Sequence, residues 1–268
     1  MSDIHLAGIS KIYGKNGLRV LPLLAQGMSS REVLAATGCQ VGLYDINLHI
    51  PAGEVFCMMG LSGSGKSTLV RHINRLIDPS CGSVHVGDLN VTALDAAGLR
   101  EYRRRRVSMV FQHFGLLPHL TVQQNAEYAL RVRGVPPPQQ AEQAVYWLGE
   151  VGLGGYEQHY PDQLSGGMRQ RVGLARALAA DTDIVLMDEP FSALDPLIRQ
   201  KLQQQVLDLQ ARLNKTIVFI THDIEEAMLM GSRIAMLNAG RLVQVGTPTE
   251  LRHHPADDYV AEFMQSAR

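Results

Sequence analysis

Nine consecutive residues, Gly60-Leu61-Ser62-Gly63-Ser64-Gly65-Lys66-Ser67-Thr68, have the types and spacing needed to hold a chain of phosphates. Glycines such as Gly60, Gly63 and Gly65 adopt backbone conformations that other residues avoid, so successive N–H groups can turn inward around an anion. A helix start adds free donors and roughly half a positive charge. Lys66 can reach the β- and γ-phosphates and the Ser67 hydroxyl can ligate magnesium, with Ser62 and Thr68 beside them. The flanks matter as much. Val55 to Met59 is an apolar run that reads as a buried strand, and Leu69 to Ile73 contains no helix breaker. Strand, glycine turn and helix in that order separate a phosphate loop from a flexible glycine turn that happens to precede Lys-Ser.

Other polar groups leave the ends of apolar strands. Val107 to Phe111 delivers Gln112, at the position where open α/β sheets bind ligands. Ile184 to Met187 runs into Asp188 and Glu189. Ionised carboxylates are costly to bury unpaired. A magnesium ion would be the partner of Asp188, and Glu189, one step further on, can polarise a water aimed at the γ-phosphate. Thr216 to Ile220 ends in Thr221-His222-Asp223. A lone histidine at a strand end is usually structural, but His222 joins Lys66, Gln112 and the carboxylate pair as the fourth polar group so delivered. Leu164-Ser165-Gly166-Gly167 opens a second glycine-containing helix, in which Ser165 can cap while Gly166 and Gly167 leave backbone donors uncovered. Tyr13 either offers an aromatic face to a base or is an ordinary strand-end tyrosine.

The positioning elements follow from the rest of the pattern. Ile4 to Ile12 alternates loosely, as an edge strand would. Residues 15–42 look like an insertion, with a capping box from Ser29 to Glu32 and a stop at Gly38. A short docked helix fits this better than a helix-turn-helix reader, because no basic second helix follows. The arginines between Arg100 and Arg106 could bind nucleic acid or lipid headgroups or form a solvated helix face, and the near-neutral total charge favours the solvated face. The stretch 113–120, apolar but broken by Gly115 and Pro118, packs either within the chain or on a partner. Pro136 to Pro138 start a helix with Trp147 in its core face, and 113–165 reads as an inserted helical subdomain. Ile198, Leu202, Val206, Leu209 and Leu213 mark a core-facing helix. Ile234–Leu237 and Leu242–Val245 form a hairpin, and a polar tail ends in one helix from about 256.

Composition narrows the class. With 268 residues, 46% of them hydrophobic, the chain can bury a full core, and its formal net charge of −1 gives no global pull toward nucleic acid or an anionic membrane. No apolar run approaches the roughly 20 residues that cross a bilayer. The first residues lack the basic and apolar regions of an export signal. Cys39, Cys57 and Cys81 lack metal-ligand spacing and read as small apolar residues in a reducing compartment.

Taken together, the 60–68 loop, Gln112, Leu164 to Arg171, Ile184 to Pro190, Ser192 to Asp195 and His222 resemble the ATP-binding subunits of ABC transporters over almost the whole chain. Within that family the 15–42 insertion and the sequences around both helix starts are most similar to the glycine betaine/proline (quaternary amine) uptake ATPases. The resemblance implies an α/β fold: a P-loop NTPase (RecA-like) core over about 1–112 and 166–268, with an antiparallel β portion and the helical subdomain at about 113–165. It implies ATP and Mg2+ as ligands, a head-to-tail dimer with a second copy, an integral membrane permease, an extracytoplasmic solute-binding protein acting through that permease, and no nucleic acid. The location implied is peripheral, on the cytoplasmic face of the inner membrane. By the same resemblance, each phosphate loop faces Ser165, Gly166 and Gly167 of the other copy, and Tyr13 stacks on adenine. Ser67 and Asp188 hold magnesium, Gln112 touches the metal and water, Glu189 is the general base and His222 bonds the γ-phosphate. The apolar stretch after Gln112 receives a coupling helix of the permease. Relatives that move choline, carnitine, proline or histidine share these motifs. A soluble ABC ATPase of repair or translation would carry a long coiled coil or a second cassette, and a P-loop kinase would have no use for 164–171.

Overall fold

The structure is a computed structural model that describes residues 2–112 and 114–265; His113, in the apolar stretch, lies outside them. In chain order the first elements are β1 (Ile4–Tyr13), α1 (Leu21–Ala25), α2 (Ser30–Thr37), β2 (Gln40–Ile50), β3 (Val55–Met59), α3 (Lys66–Ile73), β4 (Cys81–Val86) and β5 (Leu89–Asn90). Then come α4 (Ala96–Arg105), β6 (Val107–Val110), α5 (Val122–Val132), α6 (Pro137–Glu150), α7 (Gly166–Ala179), β7 (Ile184–Asp188), α8 (Pro196–Leu213) and β8 (Thr216–Ile220). The last are α9 (Ile224–Met230), β9 (Arg233–Asn238), β10 (Arg241–Gly246), α10 (Pro248–His253) and α11 (Asp258–Gln265). The chain divides into two compact units, residues 1–99 with 220–268, and residues 100–219.

The first unit contains a four-stranded antiparallel sheet in the order β2-β1-β4-β5 and the strands β10-β9-β3, with β9 antiparallel to β10 and parallel to β3. β1 is therefore an inner strand and not the expected edge: β2 pairs on one side and β4 on the other. Alternation reports one buried face, and it cannot count neighbours. Every residue of β3 is buried, which is why it reads as an unbroken apolar run. The 15–42 segment folds as two short helices. Ser29 and Glu32 form the predicted capping box and Gly38 ends α2 in the left-handed region, at φ 70°. Val20, Leu24 and Val33 bury themselves with Ile12 and Cys39, so the insertion has a small core tied to the end of β1. A strand follows α2, which removes the helix-turn-helix reading. The tail holds two helices where one was expected. Thr247 and Glu250 form a capping box and Pro248 occupies the first turn of α10.

In the second unit β6 runs parallel to β7, within the order β8-β7-β6. Helices α5, α6 and α7 pack with Ala126, Leu130, Ala144, Trp147 and Val172 buried. On α4 only Tyr102 is buried, and the arginines of this stretch point outward as a solvated face, Arg105 pairing with Glu101. Leu202, Val206 and Leu209 of α8 face the core, while Leu213 is exposed at its last turn. Among the described residues no helix is long and apolar enough to cross a membrane.

Candidate functional site

In the first unit, β3 ends at Met59 and the glycine loop turns directly into α3. Gly60, Gly63 and Gly65 take φ 141°, 78° and 102°. The loop distinguishes among them. A Cβ on Gly60 would stand 2.1 Å from the Leu237 carbonyl oxygen, and one on Gly65 2.7 Å from Leu43, so neighbouring backbone and side chain demand glycine there. A Cβ on Gly63 would meet nothing within 4 Å: this glycine is needed for its dihedral angle, beside open space. The buried Lys66 ammonium spans the loop, donating to the carbonyls of Gly60 at 2.8 Å and Leu61 at 3.0 Å.

Helix α3 starts from Gly65 with no side chain capping it, whereas α2, α5, α7, α8 and α10 each have a serine, threonine or aspartate accepting from the first turn. An uncapped helix start next to a glycine loop and a lysine is a cradle for an oxyanion. The donor set thus fits a polyphosphate. The oxygen donors expected to hold magnesium, Ser67 and Asp188, are of the hard type that ion takes.

Three more residues of this unit gather around the loop. The Tyr13 ring, 38% exposed, lies over Gly42, where a Cβ would stand 2.7 Å from the ring; the Gly42 carbonyl in turn lies against Gly65. His222 is exposed and follows Thr221, whose amide donates to the Met58 carbonyl at 3.4 Å, so it is delivered beside the carboxyl end of β3. Tyr259, on α11, was not anticipated. Its hydroxyl accepts from the Leu61 amide at 3.2 Å and donates to the Leu237 carbonyl at 3.0 Å. Burial pushes its phenol up from the ordinary value.

The second unit assembles the other predicted residues. Asp188, at the end of β7, is fully buried, and Glu189 follows it half-buried. Glu189 precedes a proline, which disfavours the right-handed helical region, and takes φ 49°. A non-glycine residue held there stores about 1–3 kcal/mol of strain. The Ser192 hydroxyl donates to its carbonyl at 3.0 Å, and Gln112 Nε2 donates to its Oε2 at 3.1 Å. Ser165 caps α7, its hydroxyl accepting from the Met168 amide at 3.2 Å, and Gly166 and Gly167 form the first turn. Arg176 is a second unanticipated residue. From α7 its guanidinium donates to the carbonyls of Gly115 at 2.7 Å and Phe114 at 3.1 Å, pinning the apolar stretch after Gln112. The Arg169 guanidinium lies 5.3 Å from the centroid of the Phe114 ring.

The ABC transporter family matches residues 43–192, more than half of the chain. The chain belongs to the ABC transporter family. This ABC chain is 49% identical over 262 residues to the glycine betaine transport ATP-binding protein OpuAA of Bacillus subtilis, covering 98% of this chain and 63% of the relative. It is 48% identical to the glycine betaine/proline betaine transport system ATP-binding protein ProV of Escherichia coli, covering 98% of this chain and 66% of the relative. The chain thus spans just under two thirds of the length of these curated relatives. Among solved structures it is similar to the ATP-binding cassette MJ0796 in a dimeric post-hydrolysis state bound to ADP and Pi. That likeness has a TM-score of 0.80 and 32% identity, over 91% of this chain and 98% of that one. The expected α/β P-loop fold class stands.

Proposed function

We propose that this ABC chain is the ATP-hydrolysing subunit that powers import of a small compatible solute through a separate membrane permease. The solute is glycine betaine, proline, choline or a related amine or amino acid. One observation carries the reading: 98% of the chain is aligned with ATP-binding proteins named for glycine betaine transport. The geometry of the two half-sites supports it.

The uncapped α3 start, Ser62, Thr68 and Lys66 bind the triphosphate, and Lys66 exchanges a loop carbonyl for a phosphate oxygen. Tyr13 stacks on the adenine. Ser67 and Asp188 would hold magnesium and Gln112 would touch it, and the ion would supply positive charge that neutralises the phosphates. Glu189 takes the proton of the attacking water, its carboxylate aimed by the Gln112 amide. His222 bonds the γ-phosphate. Ser165, Gly166 and Gly167 of a second, head-to-tail copy close on the same phosphate. The chain works peripherally at the cytoplasmic face of the inner membrane. The stretch after Gln112 receives the permease, and an extracytoplasmic solute-binding protein acts through it.

The test is uptake of labelled betaine, choline and histidine in a deletion strain complemented with the gene, together with the subunit's distribution between membrane and cytosol. Restored uptake of betaine or choline and co-purification with a permease are expected. Histidine uptake alone would reassign the solute. Near-complete recovery from the cytosol with no membrane partner would favour a soluble ABC ATPase.

A further inference from the structure

The outward face of the antiparallel sheet in the first unit carries a row of histidines. His5 on β1 is directly paired with His49 on β2 and with His85 on β4. Directly opposed residues of antiparallel neighbours share a face. Their strand neighbours Ile4, Leu6, Leu48, Ile50, Val84 and Val86 are buried on the other side. His5 and His49 are exposed and His85 is half-buried. Asp3, two residues before His5, reaches into the row. Its Oδ2 lies 2.7 Å from Nε2 of His5 and 3.4 Å from Nε2 of His49. The two imidazoles are stacked, with centroids 4.1 Å apart and planes 12° from parallel.

We propose that Asp3, His5 and His49 form a surface binding site for a borderline divalent transition cation of the zinc, nickel or copper class. The convergence argues for a shared ligand. A surface ion pair needs one imidazole, whereas here two Nε2 atoms lie within 3.4 Å of the same carboxylate oxygen, and each of the three residues can place a ligand atom within 4.8 Å of the others. In a tetrahedral site with bonds of about 2.0–2.1 Å, neighbouring ligand atoms are about 3.3 Å apart. The His49–Asp3 distance of 3.4 Å already has that length, the His5–Asp3 distance of 2.7 Å needs to open by about half an ångström, and one of the stacked rings must turn so that both in-plane lone pairs face the ion. Two imidazoles and one carboxylate suit zinc, nickel or copper, and they are the wrong set for magnesium or calcium, which take oxygen. A water completes the coordination, since His85 lies on the far side of His5 from His49 and outside the converging group. A bound ion would staple β1 to β2, and β1 is the strand that ends at Tyr13.

The site is tested with Zn2+ alone, titrated calorimetrically into tag-free, chelator-treated protein without nucleotide or magnesium, with Co2+ absorption as a second readout. Wild type is expected to bind one Zn2+ per chain saturably and, when loaded with Co2+ instead, to give the d–d bands of a nitrogen–oxygen site. The variants Asp3→Asn and His49→Asn should each bind roughly tenfold or more weakly. Their Mg2+-dependent ATPase should stay at the wild-type level, which shows that they fold. The inference is overturned if wild type shows no saturable binding below millimolar Zn2+, or if the double variant His5→Asn/His49→Asn binds as wild type does.

Discussion

The Tyr259 hydroxyl accepts a hydrogen bond from the Leu61 backbone amide, joining the C-terminal helix to the phosphate loop across 198 positions of sequence. The same hydroxyl donates to the Leu237 carbonyl, the atom that a side chain on Gly60 would strike. Tyr259→Phe removes both bonds and keeps the ring. Leu61 is exposed, so water can replace one partner, and the stability cost should stay near about 1 kcal/mol. The larger effect should fall on ATP affinity, weakened several-fold as the loop loses its anchor, with the rate at saturating ATP nearly unchanged. A fluorescent-nucleotide titration beside steady-state kinetics distinguishes the two. An unaltered affinity would leave the bond with no role in binding.

Alkaline pH gives a second handle on that residue. Burial pushes the phenols of both Tyr102 and Tyr259 above their ordinary value. A group whose pKa is raised on folding holds its proton longer in the folded state. Its contribution is therefore fully present below about pH 10, where an unfolded tyrosine ionises, and is lost as pH rises beyond it. Urea midpoints should fall as the pH passes from about 10 upward. The fall should be smaller in Tyr259→Phe, because one of the two groups is gone. Parallel profiles for variant and wild type would count against this account.

The glycines of the loop should not be equivalent. Gly60→Ala meets a carbonyl oxygen at 2.1 Å and must move backbone, so it should destabilise the whole unit and depress expression. Gly63→Ala meets no atom and carries only the cost of its positive φ, about 1–2 kcal/mol. Its melting temperature should shift modestly while nucleotide binding suffers, because an alanine strains the left-handed turn that aims the loop's N–H groups. Thermal melts with and without Mg-ATP check both. Equal destabilisation of the two variants would contradict the packing described.

Much of this arrangement is legible in the sequence, for a physical reason. β3, β7 and β8 are buried along their whole length, so they appear as unbroken apolar runs, and the polar residues that end them stand out. Ser29 with Glu32 is a local capping signal, and local signals survive without a structure. The Thr247–Glu250 box with Pro248 carried the same signal for α10 and was hidden within a tail that looks merely polar. Tyr259 and Arg176 left no local trace. One is a tyrosine on the final helix, the other an arginine in a helix rich in alanine and arginine, and both act on backbone atoms far away in sequence. The inner position of β1 was invisible for a related reason, since pairing on a second side leaves the alternation unchanged.

Arg176 makes two bonds to consecutive carbonyls, and that geometry depends on the guanidinium fork. Burial lowers its pKa, so the charge is already costly and these partners offset the cost. Arg176→Lys supplies one point charge and should lose about 1.5–3 kcal/mol of local stability. If the stretch after Gln112 receives the permease, the variant should still hydrolyse ATP as an isolated subunit yet transport less solute per ATP. Reconstituted vesicles measuring both quantities decide this, and an unchanged ratio would separate Arg176 from coupling.

Glu189 provides the sharpest test of the hydrolytic role. Its backbone stands at φ 49°, its carbonyl accepts from the Ser192 hydroxyl, and its carboxylate accepts from Gln112. Glu189→Gln preserves this geometry, because an amide oxygen can still accept the Gln112 proton. Only the capacity to take a proton from water disappears. Hydrolysis should therefore drop roughly 10²- to 10⁴-fold while ATP still binds. With turnover blocked, ATP-bound dimers should accumulate, visible as a doubled mass in size-exclusion chromatography with light scattering when ATP and magnesium are present. Wild-type turnover in this variant would remove Glu189 from its role as base. A strictly monomeric variant would leave a nucleotide pocket and no two-copy mechanism.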